Sequence, residues 1–286
     1  MKVRHALAST ALATILACGA IPAFADTIDL GGYTGPIEIK FNNFESFNGT
    51  GQIQTSNTNF GIIQITQILG ESVQGSNNFN LSVWSTGQNG QFLSGVFGGI
   101  HVDSVTGTPT FGSSTNSGGF IDLFLNGTDL NSTQGTAGYA AGGCAIGGTC
   151  YHTVSDVGGT NVLNLAFASG IDPLNPTTTL TSTFNLQTSP FTGTAQGYLN
   201  VVGGTEAAKF DTNGVPTVFG NRDMFLQDNF CVAGSSPICG ASGNWAFNSH
   251  DPVLATVIPE PSTLSVFGSA LLALAFFGRW RRKRYV

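Results

Sequence analysis

The sequence predicts an all-β fold, a β-sandwich or jelly-roll-like body with a C-terminal single transmembrane helix. Three observations carry the prediction. Short runs alternate apolar and polar residues with period two, which places one face of an extended strand in a core. Asn-Gly and Gly-rich clusters separate these runs: Gly49-Thr50-Gly51, Asn89-Gly90, Asn126-Gly127 and Asn213-Gly214; such pairs supply the positive φ of tight hairpin turns. Eighteen of the 22 phenylalanines lie between residues 26 and 258, and a ring without a polar handle belongs between packed sheet surfaces.

Taken in order, Ile37-Glu38-Ile39-Lys40-Phe41 alternates strictly, and 61–69 is a second candidate. Phe79, Leu81 and Val83 share one face, 92–102 follows, and Ile121, Leu123 and Leu125 repeat the pattern. Leu163, Leu165 and Phe167 form the next segment; 177–186, 195–202, 215–219 and 223–230 complete a set of about nine to eleven strands. No segment of the body carries a helical stripe. Thr177, Thr179, Thr181 and Thr183 alternate, so on one strand they would stand on one face.

Charge narrows the function classes. Only 9% of residues are charged, against roughly 25% in ordinary soluble domains. Residues 26–258 hold 15 Asp/Glu and three basic residues, Lys40, Lys209 and Arg222, a net charge of −12. Nucleic acid is excluded as a partner, because its binding requires Lys and Arg to neutralise phosphates.

The ends read as addresses. Lys2 and Arg4 precede the apolar run Ala6–Ala17, then Pro22 and the small-residue site Ala23-Phe24-Ala25. That order predicts a signal peptide over 1–25, handled by the Sec translocon and signal peptidase and cut after Ala25. Ile15-Leu16-Ala17-Cys18 is a poorer, lipoprotein-like alternative. At the other end, 18 residues from Pro261 to Gly278 carry no charge; as a helix they reach about 27 Å, close to the ~30 Å of a hydrocarbon core. The basic tail Arg279, Arg281, Arg282, Lys283 and Arg284 would stay cytoplasmic, leaving the body outside. The expected domains are thus an exported β-rich domain at 26–248, a linker at 249–258, and a terminal segment at 259–286 with a membrane helix over 262–278.

Pro259-Glu260-Pro261, a short apolar helix and a terminal basic cluster, in that order, resemble the PEP-CTERM sorting segment of Gram-negative bacteria, also called the ice-binding-protein C-terminal domain. The resemblance implies recognition of the tripeptide by an exosortase, removal of the tail, a transient inner-membrane intermediate, and delivery to the cell surface or outside. The stretch Phe191-Thr192-Gly193-Thr194-Ala195-Gln196-Gly197-Tyr198 through Phe210-Asp211-Thr212 more weakly resembles flocculation-associated PEP-CTERM proteins.

Four cysteines remain beyond the signal peptide: Cys144, Cys150, Cys231 and Cys239. An oxidising compartment favours two disulfides among three connectivities. Local pairing, Cys144 with Cys150 and Cys231 with Cys239, is expected because both intervals are rich in Gly and Ser. Nucleophilic catalysis would need a base beside Ser or Cys, and none of His101, His152 or His250 stands in a hydrolase or protease pattern. No catalytic residue or metal ligand is therefore assigned. Glycosidase chemistry needs only two carboxylates, for which Asp122, Asp172 and Asp223 are examples. Calcium is the one cofactor left open, through Asp211-Thr212-Asn213-Gly214, although a turn explains that tetrapeptide equally well. The expected function is a non-enzymatic exported protein associated with exopolysaccharide in a matrix, biofilm or floc; the alternatives are a secreted carbohydrate-active enzyme and a calcium- or carbohydrate-binding module.

Overall fold

The computed structural model describes residues 27–47, 53–108, 111–127, 159–187, 189–233, 235, 236, 239, 245–250, 252–259 and 271. The expected signal peptide with Ala23 and Ala25, the Cys144–Cys150 pair, His152, Glu260, Pro261, the membrane helix apart from Leu271, and the basic tail lie outside the described residues. Among the described residues no helix is long and apolar enough to cross a membrane.

Thirteen strands are described: β1 (Gly35–Phe47), β2 (Thr58–Glu71), β3 (Phe79–Ser85), β4 (Phe92–Thr108), β5 (Phe111–Asn126), β6 (Thr160–Ala168), β7 (Leu180–Asn185), β8 (Thr192–Gly203), β9 (Val215–Thr217), β10 (Gly220–Arg222), β11 (Met224–Val232), β12 (Phe247–His250) and β13 (Val253–Val257). One four-residue helix, α1 (Ala207–Phe210), interrupts them. Eleven strands share one antiparallel sheet, and β9 and β10 form a separate hairpin.

The large sheet returns on itself. β3 and β4 pair end to end along one side of β2, β6 and β7 along one side of β5, and β12 and β13 along one side of β1. Since β1 also pairs with β2, and β11 with both β8 and β12–β13, the ladder forms a ring of eight strand positions. A single sheet closed in this way replaces the two facing sheets expected from the sequence. Closure removes the exposed edges that an open sheet must protect, except along β3, which pairs with β2 alone.

Ring closure also corrects a domain boundary. Residues 249–258, expected as a linker, are mostly strand: Ser249 pairs with Asn43, and Val253, Ala255 and Val257 alternate inward against β1. The body therefore runs to the threshold of Pro259, which is exposed. Beside this exit, Lys209 pairs with the buried Glu206 at 2.7 Å, and the Ile258 N–H donates to the Lys209 carbonyl.

The core follows from the alternation. Ile37, Ile39 and Phe41 of β1 point inward and meet Ile63, Ile65, Leu93, Leu123, Leu163, Leu199, Met224 and Val253. Trp84 is fully buried, with its indole N–H donating to Gln91 Oε1. Each fully buried aliphatic or aromatic side chain contributes about 1.5–3 kcal/mol. A second apolar cluster packs on the outer wall, where Phe60, Ile62, Val96 and Phe124 gather under Trp245. Turn chemistry matches expectation at Asn89 and Asn213, whose φ angles are 53° and 51°. Cys231 and Cys239 are joined, the local pairing expected for them; a loop this short restricts the unfolded chain by about 2–3 kcal/mol.

Candidate functional site

Two places collect polar side chains: one on the outer wall, the other inside the ring. On the outer wall, strand register builds a cross-strand row. Thr106 stands opposite Ser113, Ser113 opposite Thr183, Thr183 opposite Thr194, Thr194 opposite Asn229, and Asn229 opposite His250. Hydroxyl pairs tie the row together: Thr106 to Ser113 at 2.8 Å and Thr183 to Thr194 at 2.9 Å. The adjacent rung brings Ser104, Thr115, Thr181, Gln196 and Gln227 together. Neighbouring strands lie about 4.8 Å apart, and same-face residues along one strand about 6.7 Å. The wall is thus a dense grid of neutral donors and acceptors.

The row lines a groove of about 850 Å³. Phe111, 59% exposed, stands at its rim, and the Asn248 Oδ1 in its lining has no hydrogen-bond partner. No Asp, Glu, Lys or Arg is among the described residues lining it. Gly193 is required here: a β-carbon would stand within the Phe230 ring, so the strand wall stays thin where the groove crosses it.

Inside the ring lies a second polar group. Continuing the inward face of β1 past Phe41, the chain places Asn43 and Glu45 in the interior. Asn59 Nδ2 donates to Glu45 Oε2 at 2.8 Å; Ser249 Oγ donates to Asn43 Oδ1 and lies 3.5 Å from Glu45 Oε1. Burial pushes the Glu45 carboxyl above its usual range, and the hydrogen bonds from Asn59 and Ser249 offset this only in part. Across the ring, Ser114 and Ser182 hydrogen-bond at 2.8 Å, and Asn116 donates to the Leu180 carbonyl. All of these except Ser249, together with Asp228, line an interior cavity of about 70 Å³.

The residues singled out from sequence fall as follows. Asp223 is a structural acceptor: its Oδ1 takes the N–H groups of Thr212 and Asn213, and its Oδ2 that of Val201. Asp172 accepts the Leu174 N–H in a turn, and Asp122 sits on the outer wall of β5, opposite Val96 and Asn164. The three are not brought together. Within Asp211–Gly214, Asn213 Nδ2 donates to Asp211 Oδ1, which is turn geometry. His101 is exposed on β4, 3.7 Å from Asp103, and His250 joins the groove. Of the threonine series, Thr177 bonds Asn175 in a turn and Thr179 is buried, donating to the Gly118 carbonyl; only Thr181 and Thr183 stand outward on a strand. The real array runs across strands rather than along one, so Thr106, Ser113 and Thr194 carried no sequence signal of their own.

Fold and site define a closed, acidic, hydroxyl-surfaced β-barrel whose last strand hands directly to an exposed Pro259. The PEP-CTERM protein-sorting motif matches residues 257–283, so the chain carries a PEP-CTERM sorting segment, which implies exosortase processing, export and targeting to the cell surface or exterior. Comparison with curated proteins and with solved structures gives no match for the body.

Proposed function

We propose that the exported body is a non-enzymatic surface or matrix protein that holds exopolysaccharide, in a biofilm or floc, along its outer groove. The route begins with the Sec translocon and signal peptidase and includes a transient stay in the inner membrane on the apolar segment 262–278, expected from the sequence to be a helix. The observation that carries the reading is the groove itself. Its hydroxyls, amides and exposed Phe111 offer a neutral sugar chain both hydrogen bonds and an apolar platform. Carboxylate pairs are what glycoside hydrolysis needs, and the described lining of the groove holds none, which favours holding a glycan over cutting it. The wall curves with the barrel and mixes Ser, Thr, Asn and His, which suits a pliable chain better than a crystal plane.

The test is co-sedimentation of protein recovered from the cell surface with exopolysaccharide from the same cells. Retention with the polysaccharide, reduced about tenfold by Phe111→Ala, is the expected result. Protein that stays in the supernatant, or steady release of reducing sugar ends, overturns it.

A further inference from the structure

The interior polar group is out of place in a barrel otherwise packed with Ile, Leu and Phe. A buried carboxylate needs a counter-charge or enough donors to replace water. The described cavity lining contains two acids, Glu45 and Asp228, and no Lys, Arg or His. Glu45 sits among oxygen-bearing neighbours: Asn43, Asn59 and Ser249. Asn59 is 6% exposed and lines the cavity. Its Nδ2 is used by Glu45 while its Oδ1 makes no hydrogen bond, leaving a buried acceptor at the edge of an acidic chamber. A hard cation satisfies a buried amide oxygen and a buried carboxylate together, and unlike water it also supplies the counter-charge that the chamber lacks.

We propose that the barrel interior is a calcium site, built on Glu45 with Asn43, Asn59 and Ser249, in a chamber that Asp228 also lines. Glu45 bound through both oxygens, two amide oxygens and one hydroxyl give five donors, and calcium takes six to eight oxygens, water included. The cavity of about 70 Å³ admits an ion and a few waters, since each water needs roughly 10–15 Å³ of such space. Two carboxylates balance the charge of one divalent ion. Magnesium suits the site less well, because it demands a tight octahedron and gives up its waters reluctantly. The Asp211–Gly214 turn is a separate place with its own internal bonds, and the proposal does not involve it.

The experiment uses protein recovered from the cell surface, stripped with a chelator and titrated with calcium chloride by calorimetry, with the melting temperature followed in parallel. One ion per chain is expected, with a dissociation constant on the order of 10⁻⁴ M or tighter and a melting temperature that rises with calcium. Glu45→Gln weakens binding at least tenfold; Asn59→Ala, which keeps the acid, weakens it several-fold; Asp211→Asn leaves it unchanged. The proposal is overturned if the folded wild type takes up no calcium at millimolar concentration, if magnesium binds equally well, or if Asp211→Asn rather than Glu45→Gln removes the site. Should Glu45→Gln fail to fold, Asn59→Ala decides, and binding indistinguishable from wild type sinks the idea.

Discussion

Around the outer wall of the barrel, the outward positions Phe60, Ile62, Val96 and Phe124 are apolar and lie beneath Trp245. A few strand positions further round, the equivalent outward positions are Ser113, Thr183, Thr194 and Asn229, and they line an open groove. Both arcs use the same extended backbone and alternation, so the sheet itself does not decide which is covered. Side-chain chemistry does. Apolar residues on a solvent face draw a large aromatic over them, whereas hydroxyls paired across strands leave a surface that water, or a sugar chain, can share.

Removing the cover from the first arc should be the most damaging change. Trp245→Ala uncovers Ile62 and Val96, both essentially buried, and a buried Trp truncated to Ala costs about 3–5 kcal/mol. Denaturant unfolding should show that loss; a change under about 1 kcal/mol would mean the aromatic cover is incidental. The second arc should respond in the opposite way. Thr183→Val with Thr194→Val replaces both partners of a hydroxyl pair by shapes of the same size, so stability should move by less than about 1 kcal/mol. Polysaccharide retention should fall about tenfold, equivalent to about 1.4 kcal/mol. Unchanged retention would separate the groove from the glycan.

Asp122 lies between the two arcs, and its effect should be the smallest. Burial holds its carboxyl above the ordinary value of 3.8, so the folded state keeps that proton more tightly than the unfolded chain. Stability from this group is therefore present at low pH and lost as pH rises from 3.8 through the raised value. Asp122→Asn should flatten that part of a stability-versus-pH curve. A slope identical to wild type would show that burial at this position does not disfavour the charge.

The sequence spoke clearly wherever apolar alternation was unbroken. β1, β5, β6 and β11 could be read that way, as could the Cys231–Cys239 loop, because those signals are local. The apolar alternation of β1 ends at Phe41, because Asn43 and Glu45, although on the same inward face, look in sequence like the end of a strand rather than its continuation into a polar interior. Val253, Ala255 and Val257 alternate as cleanly as any core strand, yet their nearness to Pro259 disguised them as a linker. The groove was illegible for a different reason. Its members come from β4, β5, β7, β8, β11 and β12, and only the register between distant strands sets them side by side.

The ring is sealed by β12 and β13, the segment just ahead of the sorting tripeptide. A chain crossing a membrane from its first residue onward delivers that seal last. Until it has passed, β1 and β11 both wait with one flank unpaired. A cut ten residues ahead of that tripeptide would remove β13 whole and leave Gly35–Ile39 of β1 without the partner strand that the folded barrel gives them.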